Sequence, residues 1–177
     1  MRPMEFAMKW RARAPNVTEI SGYQEHYLDL CHLLRLDTPA SDPTGKNYRF
    51  EMPVRKFGTG GTGRADVFRR GRFIIEYKQV GADLERAFAQ MVGYQHDLGN
   101  PPLLIASDFL RWEVSTNFTG TNRKKYVIIL DDLASTNKLA GGRTALELLH
   151  AALVEPHVLD PRTQREHITH EATVSIG

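Results

Sequence analysis

The sequence predicts a mixed α/β fold, with one central mixed sheet flanked by helices. Three observations carry that reading. A strongly periodic apolar pattern over residues 83–98 follows a pair of strand-like segments rather than another helix. That pair, Ala65 to Phe68 and Phe73 to Tyr77, flanks Arg70-Gly71, which reads as a hairpin turn. Further short apolar runs then alternate with turn residues. At 177 residues the chain fits one domain with a short tail. Residues 1–155 form the expected domain, and residues 156–177 form a helical tail.

The elements follow in order. Tyr23, Tyr27, Leu30, Leu33 and Leu34 recur at helical spacing, which predicts a helix over residues 21–35 with Ser21 as its N-cap. Two prolines, two aspartates and a glycine make residues 37–46 a loop. Tyr48 to Val54 reads as a strand. Gly58 to Gly63 is a flexible connector; it lacks the Lys-Ser/Thr ending of a phosphate-binding loop and leads into a strand. Leu84, Ala87, Phe88, Met91, Gln95 and Leu98 define one helix face, which Gly99-Asn100-Pro101-Pro102 ends. Strands are expected at Leu103 to Ala106, Arg111 to Thr116 and Tyr126 to Leu130. A last helix is expected over residues 143–153.

Composition narrows the function classes. The single cysteine, Cys31, excludes an intrachain disulfide and a cysteine metal cluster, and it suits a reducing cytoplasm. No apolar run is long enough to cross a membrane, and Met1 to Arg13 lacks the apolar stretch of a secretory signal. The net charge of +2 neither favours nor excludes nucleic acid. Arginines 64, 69, 70 and 72 with Lys78, and the run Arg123-Lys124-Lys125, are basic clusters that read first as solvated surface.

The chemistry gathers at the hairpin. Glu76 and Lys78 are two apart on a strand and share a face, with Ile75 and Tyr77 on the other. With the turn centred on Gly71, Asp66 falls opposite Glu76, their Cβ atoms roughly 5 Å apart. Two carboxylates that close repel, and a divalent cation between them removes the conflict. An all-oxygen ligand set with open positions suits Mg²⁺, with Mn²⁺ as a substitute. A lysine beside such a metal can offset charge in a transition state, which is the equipment for phosphodiester hydrolysis. The competing reading is a cross-strand Asp/Glu pair neutralised by Lys78 and nearby arginines. Gln90 and Tyr94, four apart on the following helix, would stack on one face that returns to the site.

Taken together, Asp66, Glu76-Tyr77-Lys78 and Gln90-x3-Tyr94 resemble the RecB-like branch of the PD-(D/E)xK nucleases. The chain is most similar to the N-terminal endonuclease domain of single-chain type IIL restriction-modification enzymes. Six more segments carry the resemblance: Gln24-Glu25-His26-Tyr27-Leu28-Asp29-Leu30-Cys31, Asp42-Pro43-Thr44-Gly45, Tyr48-x-Phe50-Glu51, Ala65-Asp66-Val67, Asn100-Pro101-Pro102-Leu103-Leu104 and Thr116-Asn117-Phe118-Thr119. They run through nearly the whole chain. The resemblance implies a restriction-endonuclease-like core and Mg²⁺-dependent cleavage of double-stranded DNA, in the cytoplasm of a prokaryote or on behalf of a phage. It implies partners too: a methyltransferase and specificity region, which would use S-adenosylmethionine, and transient self-association on DNA. Two other readings stay open, a non-catalytic DNA-binding or assembly module of the same fold and a RecB-like exonuclease. The chain departs from the family after Lys78, where Gln79-Val80-Gly81-Ala82 replaces a glycine and further basic residues.

The expected roles are therefore Asp66 and Glu76 as metal ligands, Lys78 as the group that organises the water, and Gln90, Tyr94 and Arg64 as supporting or phosphate-facing residues. Glu51 and Glu25 are further candidate carboxylates. His167-x2-His170 has the spacing of half a metal site but no partner cysteines, and it is read as surface.

Overall fold

A computed structural model describes residues 1–58, 60–139 and 141–163. Six strands form one sheet in chain order: β1 Tyr48–Arg55, β2 Thr62–Arg69, β3 Phe73–Tyr77, β4 Leu103–Ser107, β5 Arg111–Thr116 and β6 Lys125–Ile129. All neighbours pair antiparallel except β3 and β4, which are parallel. A parallel pair requires a crossover, and the helix after β3 supplies it.

Among the described residues four α-helices flank the sheet: α1 Pro3–Arg13, α2 Glu19–Leu34, α3 Leu84–Val92 and α4 Ala145–Val154. The alternation of β3 explains why helices lie on both faces. Phe73, Ile75 and Tyr77 enter a large core shared with α1, α2 and α4. Ile74 enters a second core with Phe68, Leu104 and the α3 residues Leu84, Ala87 and Met91. A strand buried on both faces reads as a continuous apolar run, which Phe73-Ile74-Ile75 is. Each large side chain buried on α3 contributes roughly 1.5–3 kcal/mol.

Three sequence expectations change. First, α1 was not foreseen. Only Phe6, Ala7 and Trp10 of its face are buried, too sparse a stripe beside its charged residues. Pro3 in its first turn and the reciprocal Arg2–Glu5 cap start it. Second, the N-cap of α2 is Thr18, not Ser21. Thr18 Oγ1 accepts from the Ser21 amide at 3.2 Å, which moves the helix start upstream and brings Glu19 into the first turn. Third, the helix expected over residues 83–98 ends at Val92. Asp83 caps its start through the Glu85 amide at 3.0 Å. Gly93 closes α3, Tyr94 leaves helical geometry at φ −135°, and Gln95–Leu98 continues as a 3₁₀ turn.

Leu159 is buried in the larger core, so residues just past 155 still pack with the domain. The rest of the expected helical tail, with His167 and His170, lies outside the described residues. Among the described residues no helix is long and apolar enough to cross a membrane.

Candidate active site

The β2–β3 pairing runs Val67↔Ile75, Phe68↔Ile74 and Arg69↔Phe73, with Gly71 at φ 67° in the turn. One more step of that register sets Asp66 opposite Glu76. The Tyr77 amide donates to Asp66 Oδ2 at 2.7 Å, which ties the first carboxylate to the strand that carries the second.

Glu76 is 1% exposed. Its Oε1 accepts from the Tyr94 hydroxyl, and its Oε2 accepts from Gln90 Nε2 at 3.1 Å and lies 3.5 Å from Lys78 Nζ. Both supporting residues reach it from separate structural units. Gln90 lies on α3 and Tyr94 just beyond its end, so they do not share one helix face. The break at Gly93 sets Tyr94 against Glu76.

Burial is the main influence on both acids. It raises Asp66 to about 6, reinforced by Glu19 and Glu51 and opposed by the Tyr77 amide and Lys78. It raises Glu76 to about 7, reinforced by the Asp66 charge and opposed by Tyr94 and Lys78. Burial disfavours the Lys78 ammonium, yet Glu76 and Glu19 outweigh it and hold Lys78 above its ordinary value. Tyr94 is raised too, by burial and by the Glu76 charge, so its hydroxyl stays a donor. One lysine thus faces the buried carboxylate of Glu76 and the half-buried carboxylate of Asp66.

Two acids whose ionisation is held back by burial and mutual repulsion gain from a divalent cation between them. Asp66 Oδ1 has no hydrogen-bond partner among the described residues and can serve as a ligand. Among the described residues no group of three or more His, Cys, Asp or Glu side chains is arranged to hold a metal ion. The acids available at this spot are Asp66 and Glu76, a pair of carboxylates. That matches Mg²⁺, which commonly takes one or two carboxylates and fills its remaining positions with water and phosphate oxygens.

The remaining candidates separate. Glu51 lies across from Asp66, between the Phe50↔Val67 and Met52↔Ala65 pairs, and it has a positive φ of 51°. A glutamate in that backbone region costs on the order of 1–2 kcal/mol. Arg64 Nη1 lies 2.8 Å from Glu51 Oε2, so Arg64 contacts the neighbouring carboxylate rather than the central pair. Glu25 does not join the cluster. Lys9 at 2.9 Å and Arg13 at 2.6 Å hold it between α1 and α2.

Two residues at the site were missed in the sequence. Glu19 Oε1 lies 3.3 Å from Lys78 Nζ and adds a third negative charge. A helix start drawn at Thr18 would have exposed it as a first-turn acid. His26 is fully buried with Nδ1 2.8 Å from the Tyr77 hydroxyl, and burial lowers it to about 3, so it is neutral. It packs edge-on against Tyr77 and anchors the ring whose backbone amide holds Asp66. A histidine flanked by apolar helix positions carried no signal for this.

Fold and site together define a mixed α/β domain with a buried glutamate, a half-buried aspartate and an attached lysine at the β2–β3 hairpin. The chain belongs to the family of the MmeI N-terminal domain, whose model matches residues 1–175; MmeI is a type IIL restriction-modification enzyme. No curated protein and no solved structure matches the chain.

Proposed function

We propose that the chain is the Mg²⁺-dependent DNA endonuclease domain of a restriction-modification system, with a PD-(D/E)xK active site. The observation that carries this reading is the convergence of Asp66, Glu76 and Lys78, with Gln90 and Tyr94 bonded to Glu76. Family membership supplies the restriction-modification setting. A non-catalytic module would have no use for two neighbouring acids drawn from water at a cost in folding energy.

Asp66 and Glu76 are the residues that would hold the metal. Bound there, Mg²⁺ supplies positive charge that acidifies a water and polarises a phosphodiester. Tyr94 and Gln90 fix the Glu76 carboxylate, and the Tyr77 amide fixes Asp66. Lys78 presents an ammonium to the attacking water and to the charge that develops on phosphorus. Methyltransfer with S-adenosylmethionine and base recognition belong in this reading to partner domains. Double-strand cleavage belongs to two copies meeting on DNA.

The test is Lys78→Ala in a cleavage-competent full-length protein. We expect cleavage to fall by at least about 10³-fold with DNA affinity and melting temperature nearly unchanged, because the lost interaction acts in the transition state. A Lys78→Ala protein cutting at the parental rate would overturn the assignment.

A further inference from the structure

The β1–β2 hairpin ends in an exposed cluster that the carboxylate site does not use. Its tip carries Arg55, Lys56 and Phe57, and Phe57 is 79% exposed, the one aromatic among the large exposed apolar side chains of the described residues. The tip is pinned rather than loose. The Phe57 amide donates to the Gly93 carbonyl at 2.8 Å, and the Arg55 amide donates to Asp97 Oδ2 at 2.9 Å. The Phe57 ring leans on His96, with centroids 5.8 Å apart.

Between the tip and the segment from Gly93 to Asp97 lies an open cleft of about 590 Å³, lined by Arg55, Lys56, Phe57, Tyr94, His96 and Asp97, with Gly58 and Gly60 at its edge. Its inner wall is the same Tyr94 whose hydroxyl donates to Glu76. Cleft and acid pair therefore share a side chain. The side chains of Arg55 and Lys56 have no acidic partner among the described residues, whereas Arg64 on the adjoining strand is paired to Glu51.

Two cations without an ion-pair partner outnumber the single acid of the cleft, Asp97, and this net positive edge beside an exposed ring favours a polyanion with aromatic faces over an apolar protein surface. Cations alone would suffice for phosphates. A ring at a hairpin tip meets a base face only where a base step opens, as apolar wedges do in architectural DNA-binding proteins. We propose that the hairpin tip is a DNA-strand subsite. Arg55 and Lys56 hold phosphates beside the cleavage site, and Phe57 enters an opened base step in the duplex. This rests on the endonuclease reading above and adds the surface that seats the strand.

The experiment uses the full chain with Ca²⁺ in place of Mg²⁺, so that DNA is bound without being cut. Anisotropy of a labelled duplex gives affinity across a salt series, and a duplex carrying 2-aminopurine reports unstacking. The variants are Arg55→Ala/Lys56→Ala and Phe57→Ala, all exposed positions, with melting temperature as the folding control. The double variant should lower the slope of log K against log salt by about 1.8, two phosphates at ~0.9 each. Phe57→Ala should keep the slope, weaken binding by roughly fivefold to 100-fold, and abolish the 2-aminopurine signal. Parental affinity and signal in both variants would overturn the subsite. So would Phe57→Ala altering self-association alone. If the variants match a parent that binds DNA in Ca²⁺ and cuts it once Mg²⁺ replaces Ca²⁺, only the subsite falls. If the parent neither binds nor cuts, the endonuclease reading falls with it.

Discussion

The Tyr77 amide donates to Asp66 Oδ2 at 2.7 Å, which fixes the Asp66 carboxylate against β3 and leaves Oδ1 for a ligand. The amide thereby ties Asp66 to the strand that carries Glu76. Asp66→Ala should lose measurable Mn²⁺ binding by calorimetry, and Ca²⁺ should bind the parent without supporting cleavage. Equal Mn²⁺ affinity in Asp66→Ala and the parent would remove Asp66 from the ligand set.

Stability should depend on pH in the unusual direction. Asp66 at about 6 and Glu76 at about 7 are both raised above their values in an unfolded chain. Between the unfolded and folded values the native state binds more protons, so stability is present at low pH and lost as pH rises to about 7. Each tenfold change in proton affinity is about 1.4 kcal/mol, which puts the loss on the order of a few kcal/mol. Denaturant melts of metal-free protein should show the decline from about pH 4 to about pH 7, with a plateau above. Glu76→Gln should flatten it, and Mg²⁺ should restore stability at the alkaline end. A parent whose melting is indifferent to both pH and Mg²⁺ would contradict the buried-pair electrostatics.

The central hairpin was legible because strand alternation and a turn glycine fix register. Placing Gly71 at the centre sets Asp66 against Glu76, and the β2–β3 pairing runs in that register. The supporting residues were legible by identity but not by geometry. Helical periodicity continues through Gln95 and Leu98, while Gly93 ends the helix and lets Tyr94 turn independently. Glu19 was hidden by a helix start drawn three residues late. Glu25 was misplaced because an acid on α2 can face the sheet or α1, and only the unforeseen α1 supplies Lys9 and Arg13. The positive φ at Glu51 belongs to a strand whose sequence looks regular.

Tyr94 should tune the metal site without touching the metal. Its hydroxyl donates to Glu76 Oε1, which favours the ionised carboxylate. In Tyr94→Phe, Glu76 should hold its proton to higher pH. Mn²⁺ affinity near neutrality should then fall by about 10–100-fold, the usual cost of losing an outer partner. The pH midpoint of Mn²⁺ binding should move up while affinity recovers in alkali. An unchanged midpoint would show that Tyr94 is only a packing residue.

Alone, the chain should cut DNA weakly and without sequence preference. The net charge is +2, so few counterions are released on binding and affinity should be weak except at low salt. Arg64 and Arg123 are paired with Glu51 and Glu85, which removes them from the free basic surface. No described element has the form of a helix-turn-helix or zinc finger, so no base preference is expected of the described residues. One acid pair serves one strand, so a linear product requires two copies to meet on the duplex. Supercoiled plasmid incubated with the purified chain and Mg²⁺ should therefore yield nicked circles first, then linear molecules with scattered ends, the second step rising with protein concentration. Discrete fragments from a unique site would place target recognition within these 177 residues and overturn the division of labour proposed for the domain.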